Sequence, residues 1–120
     1  QVVKGWMDGS GDLKEKVYDV LCSDDRAIND QHRCDGSVGN TVDVANATYT
    51  NSIGDALMMA YWQDPDFDPD QRAFYYVRVL EIPTPRWTTY DAAFFGVDLP
   101  EGVPATHQER AYTSPIWYTP

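Results

Sequence analysis

The sequence is poor in the residues that carry out chemistry. It contains only two histidines and two cysteines among 120 residues, and it has no His-x-His pair, no Gly-x-Ser-x-Gly elbow and no glycine-rich phosphate loop. His32 and His107 stand alone, and their spacing from the cysteines matches no zinc site. We therefore assign no catalytic residue and no metal ligand, and we expect no cofactor.

Basic residues are scarce as well. Nine Lys and Arg stand against 19 Asp and Glu, which gives a formal net charge of −10. Binding to nucleic acid needs clustered Lys and Arg against the phosphates, so we expect no nucleic-acid partner. No apolar run approaches the ~20 residues of a membrane span, so we expect no membrane partner. Solubility through surface carboxylates accounts for the negative charge.

What the sequence does contain is a long stretch typical of a β-strand, at residues 72–82 (RAFYYVRVLEI). It is the longest run of aromatic and β-branched residues in the chain. Alternate positions point to opposite faces, and apart from Arg78 both faces are apolar or aromatic. This pattern predicts a central strand covered on both sides. A buried helix is the alternative, but Pro83 and Pro85 would end it.

The rest of the chain predicts further short strands separated by turns. The expected strands cover residues 1–7, 15–22, 41–50, 56–62 and 111–118, although residues 56–62 could also form a short helix. One short helix is expected at residues 90–95, with Thr88 or Thr89 as N-cap and Gly96 at its end. We predict a single mainly β domain over residues 1–120, an antiparallel β-sandwich-like fold of about six strands with one short helix. Because the chain begins inside a strand-like run, we expect it to be a piece of a longer protein.

Two segments invite a binding interpretation. Residues 64–70 (DPDFDPD) place four carboxylates at alternate positions, but an EF-hand loop needs Gly at its sixth position and Glu at its twelfth, where this sequence has Pro69 and Tyr75. The alternative is that Asp68 caps a turn beginning at Pro69, with the other carboxylates solvated. We favour that alternative and predict no metal here.

Two irregular, aromatic-flanked segments could line a pocket. Their candidate binding residues are Arg86, Trp87, Glu109 and Arg110, and Trp117 of the expected strand at residues 111–118 is a fifth candidate. The alternative is that the arginines, together with Arg78, pair with nearby carboxylates and lay their stems on aromatic rings.

The two cysteines bracket most of a long polar loop. Cys22 and Cys34 stand at the ends of a segment with few apolar anchors, which fits a disulfide better than two free thiols. A disulfide implies an oxidising compartment, so we expect a periplasmic or secreted protein.

Seven segments taken in order resemble the C-terminal end of a bacterial family catalogued as domain of unknown function 3604. They are VKGW at 3–6, KVYDV at 16–20, GNTVD at 39–43, DPDFDP at 64–69, RAFYY at 72–76, IPTPRW at 82–87 and QERAYTSPIW at 108–117. Members of that family are several times longer, and their N-terminal part is similar to the polymerase-and-histidinol-phosphatase (PHP) superfamily, whose His and Asp ligands hold a metal cluster for hydrolysis.

None of those ligands has a counterpart in this chain, so the resemblance carries over no catalytic residue. It implies a non-catalytic accessory or interaction domain that would pack against the metal-bearing catalytic domain. Parted from that domain, the chain is expected to self-associate as a homo-oligomer, because an uncovered apolar surface needs cover. The alternative function is a small-molecule or carbohydrate binding module that uses exposed Trp and Tyr side chains as an aromatic-lined pocket.

Overall fold

The computed structural model describes residues 1–120 as seven β-strands and one α-helix. In chain order these are β1 (Val2–Met7), β2 (Leu13–Tyr18), β3 (Ala73–Leu80), β4 (Thr84–Pro85), α1 (Trp87–Phe95), β5 (Thr106–His107), β6 (Arg110–Tyr112) and β7 (Ile116–Tyr118). The prediction of a mainly antiparallel β domain with one short helix is confirmed. The sheets are open: one has five strands, and β4 and β5 form a separate two-stranded ribbon.

The larger sheet is built around β3, as the sequence predicted. Its order is β2-β1-β3-β6, with β7 also paired to β3, and every pairing is antiparallel. The hairpin between β1 and β2 is set by Asp8, whose carboxylate accepts the backbone N–H groups of Ser10 (2.9 Å) and Asp12 (3.0 Å). Such bonds from an Asp side chain to the backbone two residues on are what make Asp a turn residue.

The expected strand at residues 111–118 is two strands, β6 and β7, lying end to end along the same edge of β3. Pro115 separates them because it has no N–H to give to a ladder. Between them, Thr113 substitutes for the ladder: its Oγ1 accepts the Val77 N–H (3.0 Å), and its own N–H donates to the Val77 carbonyl (3.0 Å).

Two predicted strands are wrong. Residues 41–50 form turns with a single bridge between Asp43 and Thr48, because the Asp43 side chain accepts the N–H groups of Ala45 (3.1 Å) and Asn46 (3.2 Å) and so competes with a ladder. Residues 56–62 form neither strand nor helix, and no other segment pairs with them. Strand propensity expresses packing within a sheet, and this segment has no partner strand; its Trp62 ring packs on Tyr18 instead.

Other boundaries also differ from prediction. Strand β2 ends at Tyr18 rather than residue 22, because Asp19 turns away to hold the polar loop. Helix α1 starts earlier than predicted, with Arg86 at its N-cap and no side-chain cap; Thr89 Oγ1 instead donates to the Ala105 carbonyl (2.6 Å). Its end at Gly96 is as predicted, since that residue has φ 63° and closes the helix with an N–H bond to the Ala92 carbonyl.

The predicted disulfide between Cys22 and Cys34 is present, with a Cα–Cα distance of 5.8 Å. A second tie was not expected from the sequence. The buried Asp19 carboxylate accepts the backbone N–H of Cys34 (2.8 Å) and the side-chain amide of Gln1 (2.7 Å), and Arg33 lies 3.3 Å away. The polar loop is therefore joined to the sheet by a carboxylate as well as closed by a disulfide.

The chain buries little of itself. Only 12 of 120 residues are buried, and the largest fully buried side chains are Tyr18, Val3 and Thr89. The accessible surface is 8560 Å², against about 6,600 Å² for a monomeric protein of this mass. The radius of gyration is 18.5 Å, against about 14 Å for a compact domain of this length. Strand β3 shares this exposure: it is central in the sheet, but Val77, Val79 and Leu80 are exposed, so the expected cover on both faces is incomplete.

No helix in the structure has the length and apolar character needed to cross a membrane.

Candidate functional site

The two faces of the larger sheet have different chemistry. Directly paired residues share a face, so the register places Lys4, Lys16 and Tyr75 together on one side. We call this the ionic face. The same register places Gly5, Phe74 and Trp117 together on the opposite side, which we call the aromatic face.

The ionic face is covered by the aspartate segment, residues 64–70. Lys4 Nζ donates to Asp64 Oδ2 (2.7 Å) and to the Asp66 carbonyl (2.7 Å), and the Tyr75 hydroxyl donates to the same Asp64 oxygen (2.8 Å). The Lys4 and Asp64 side chains are 3% and 6% exposed. The Asp66 carboxylate accepts the Tyr18 hydroxyl (2.7 Å) and pairs with Lys16. Two carboxylates thus bind two lysines and two tyrosines of the sheet.

These contacts shift the titration of the groups involved. Burial alone would raise the pKa of Asp64, but the hydrogen bonds from Lys4 and Tyr75 hold that pKa below its usual value. The hydrogen bonds from Lys16 and Tyr18 likewise lower the pKa of Asp66. Burial, followed by donation to a carboxylate, raises the pKa of both Tyr18 and Tyr75. At neutral pH the face therefore holds ionised carboxylates and neutral phenols, which is a stabilising arrangement and not a reactive one.

The sequence interpretation of the aspartate segment is partly corrected. Asp68 does cap a turn, since its side chain accepts the Asp70 N–H (2.9 Å). Asp64 is almost fully buried, however, and binds Lys4 and Tyr75. The Asp66 side chain is half exposed, and it binds Lys16 and Tyr18. No group of three or more His, Cys, Asp or Glu side chains converges anywhere in the structure in a way that could hold a metal ion.

The aromatic face carries an open groove of about 340 Å³. Its lining residues are Phe74, Tyr76, Tyr112, Thr113, Pro115 and Trp117. The four rings form a continuous row: Trp117 and Phe74 have centroids 5.2 Å apart, Phe74 and Tyr76 6.4 Å, and Tyr76 and Tyr112 6.1 Å. No charged side chain lines the groove, and Trp117 is 72% exposed.

Gly5 allows the Phe74 ring of this row to pack directly on the backbone of β1. The Phe74 ring reaches across from β3 to its paired residue Gly5 and occupies the space where a side chain on β1 would stand. A Cβ placed on Gly5 would overlap Cζ and Cε1 of Phe74. The Tyr76 ring is within 11° of parallel to that of Phe74, so both rings share one orientation. A glycine in a strand interior often marks such a close approach.

The five sequence-predicted binding residues do not share one site. Trp117 lines the groove. Arg86 and Trp87 lie at the start of α1, and Glu109 and Arg110 lie at the start of β6. Arg110 pairs with Leu80 and Trp117 with Phe74, six residues apart along β3, which is about 20 Å.

The ion pairs expected for the arginines are not found, because none of the six ion pairs in the structure includes Arg78, Arg86 or Arg110. Arg78 donates instead to the side-chain oxygen of Gln1 (2.6 Å). Glu109 lies 2.8 Å from His107.

Sequence reasoning missed three of the four rings in the groove. Phe74 and Tyr76 share one face of the strand that is predicted to be covered on both sides, and Tyr112 lies in the strand predicted at residues 111–118. The signal available was the alternation of aromatics at 74 and 76 opposite a glycine. This signal can be interpreted only when the pairing of β1 with β3 is known.

A family model described as Protein of unknown function (DUF3604) matches residues 1–120, which is the whole chain. Comparison with curated proteins and with solved structures finds no match.

Proposed function

The chain belongs to the family described as Protein of unknown function (DUF3604), and from this premise we propose that it is a non-catalytic accessory domain that packs against another protein domain. The partner is the PHP-like catalytic part of a bacterial protein, as the resemblance of the seven segments implies. The observation that carries the proposal is the surplus of surface.

The surplus has the size of a permanent interface. The chain exposes about 2,000 Å² more than a monomeric protein of its mass. If a partner covered that area, the two surfaces together would bury about 4,000 Å², which lies within the range of obligate complexes. Each side of an obligate interface resembles half of a domain core. This chain fits that description, because only 12 of its residues are buried and many of its large apolar side chains are exposed.

Helix α1 is the element that most needs a partner. It has nine residues, and isolated helices shorter than ~12–15 residues are marginal in water. Only Thr89 is buried, while Trp87, Phe94 and Phe95 are 64%, 83% and 69% exposed. Its apolar residues are spread around the helix rather than gathered on one stripe, so packing one side of the helix on this chain leaves apolar side chains exposed on the others. We therefore assign α1 as the docking element.

Light scattering after size-exclusion chromatography tests the proposal. The chain alone is expected to self-associate through its uncovered apolar surface. Adding the separately produced PHP-like region of a longer family member is expected to replace the self-associated form with a 1:1 complex. Replacing both Phe94 and Phe95 by Asp should weaken that complex, whereas Leu13→Asp, at an exposed apolar position on β2, should not. A chain that is monomeric at high concentration and forms no complex would refute the accessory role.

A second candidate function, a small-molecule or carbohydrate binding module, is favoured by the groove on the aromatic face. Its volume lies in the range of small-ligand sites, and its lining combines exposed rings with a few hydroxyl groups. This function does not compete with docking through α1, because the groove lies on β3, β6 and β7.

We also propose an oxidising location, the periplasm or the cell exterior. The support is the Cys22–Cys34 disulfide, since structural disulfides persist in such compartments and are rare in the cytosol. Fractionation of cells that produce the natural protein, followed by immunodetection, tests this assignment.

A further inference from the structure

We propose that the groove on the aromatic face binds an uncharged oligosaccharide, with Phe74 and Tyr76 as a stacking floor and Trp117 and Tyr112 at its two ends. This inference rests on the second candidate function and names its ligand class. It is independent of docking through α1.

The floor has the geometry that sugar stacking needs. The Phe74 ring lies across β1 over Gly5, so it is supported from below, and the Tyr76 ring is parallel to it within 11°. A pyranose with equatorial hydroxyls has a face made of C–H groups. Those hydrogens carry a small positive charge, and they are attracted to the negative face of an aromatic ring. Two parallel rings on one strand therefore present two successive stacking positions.

The rings at the two ends of the row are tilted against the floor, and this arrangement suits a chain of several sugar units better than a single sugar. Trp117 is tilted by 50° against Phe74, and Tyr112 by 45° against Tyr76. Both can contact the side of a ligand that rests on the floor. The steps of 5.2, 6.4 and 6.1 Å between successive centroids are comparable to the length of one sugar unit. The row thus accommodates several consecutive units.

Charge selects an uncharged ligand. None of the six lining residues is charged, and the whole chain carries a formal charge of −10. An acidic oligosaccharide would meet repulsion with no cation in the groove to offset it. The surface of the groove is almost entirely carbon, which suits the C–H face of an uncharged sugar.

The size of the groove favours a sugar over a protein partner. A standard protein interface covers about 800 Å² on each side, whereas this groove is bounded by six residues. The exposed rings outside it, such as Tyr61 and those of α1, lie on other segments of the chain. A row of rings confined to one strand and its edge partners suits a linear ligand.

Isothermal titration calorimetry of the full chain with cellohexaose, xylohexaose and mannohexaose tests the site, with hexagalacturonate as the acidic probe. We expect saturable binding of at least one uncharged hexasaccharide and none of hexagalacturonate. Trp117→Ala should weaken binding about tenfold, because it removes one stacking ring. Tyr61→Ala is the control: Tyr61 is an exposed aromatic residue outside both the groove and α1, and its removal should leave the affinity unchanged.

Gly5→Ala is the second variant, and it tests the floor without removing a ring. The added methyl group displaces the Phe74 ring, so we expect a loss of affinity comparable to that of Trp117→Ala. Circular dichroism and the melting curve should show that each variant is folded; if Gly5→Ala is not, Tyr76→Ala replaces it.

Failure of all three uncharged hexasaccharides to bind would overturn the proposal, and so would equal affinities of the Tyr61 and Trp117 variants. If Trp117→Ala abolishes the complex with the PHP-like region instead, the groove is a protein interface and the sugar site is refuted. Failure of the Phe94 and Phe95 variant to affect that complex would refute docking through α1 and leave the sugar site untouched.

Discussion

Replacement of Lys4 by Met should be among the most destabilising single changes in this protein. Lys4 and Asp64 are joined at 2.7 Å with side chains that are almost fully buried. Methionine keeps the length and apolar stem of lysine but removes the charge, so the Asp64 carboxylate remains buried beside Tyr75 without a counter-ion. Removing one partner of a buried pair costs about 3–5 kcal/mol. Because the Tyr75 hydroxyl and the Asp66 N–H still donate to Asp64, we expect about 3 kcal/mol, at the low end.

The assay is urea unfolding followed by tryptophan fluorescence, with the free energy of unfolding obtained by linear extrapolation. Lys14→Met is the matched control. Lys14 lies on β2, on the same face of the sheet as Lys4. Its pairs with Asp8 (3.2 Å) and Asp12 (3.5 Å) are exposed, so its loss should lower the free energy of unfolding by no more than about 1 kcal/mol.

The double variant Lys4→Met with Asp64→Asn completes a cycle. It should lose about 2 kcal/mol less than the two single variants added together, because the second change removes the charge that the first left unpaired. A Lys4→Met protein whose free energy of unfolding lies within about 0.5 kcal/mol of the parent would refute the reasoning.

Four further predictions concern the ionic face, the disulfide and the aspartate segment. Folding lowers the pKa of Asp64, so the contribution of this residue to the free energy of unfolding is fully present above the ordinary Asp pKa of about 4 and is lost as the pH falls below that value. The urea concentration at the unfolding midpoint should therefore decrease when the pH is lowered below about 4, and Asp64→Asn should reduce that decrease. Since folding raises the pKa of Tyr75, stability should also decline above about pH 10, and Tyr75→Phe should reduce that decline. Reduction of the Cys22–Cys34 bond, which closes a loop with a sequence separation of 12, should lower the free energy of unfolding by about 3 kcal/mol; two alkylatable thiols in protein never exposed to reductant would contradict the bond. Elemental analysis of protein purified without chelators should find no stoichiometric metal ion, and an ion that disappears in Asp66→Asn would show that the aspartate segment is a metal site.

The parts of the fold that could be predicted are those whose cause is local. Residues 72–82 identify β3 by composition and alternation, and Gly96 ends α1 by a conformation that suits glycine. Residues 41–50 mislead for an equally local reason, because the turn bonds of Asp43 outweigh the strand propensity of Val42 and Val44. Residues 56–62 mislead because strand propensity has no effect without a partner strand.

The candidate sites depend on contacts that are distant in the sequence. Lys4 and Asp64 are 60 residues apart in the sequence, so the local sequence around either residue does not predict the pair. The groove depends on Gly5 lying opposite Phe74, and on Trp117 pairing beside it from the far end of the chain. Trp117 could be named as a binding residue because an aromatic near a proline stands out. Its companions could not, because a ring on a central strand is expected to be buried.

The strand order also has a consequence for how the chain is made. Strand β1 sits between β2, which follows it at once, and β3, whose pairing residues come about 70 positions later. During synthesis at about 5–20 residues per second, the β1–β2 hairpin waits for several seconds before β3 can cover its open edge. An open edge with an apolar face is a site of aggregation, and charged side chains on it are the usual protection. Over that interval Lys4 and Lys16 have not yet met Asp64 and Asp66, so we expect their unpaired charges to oppose the association of one nascent hairpin with another.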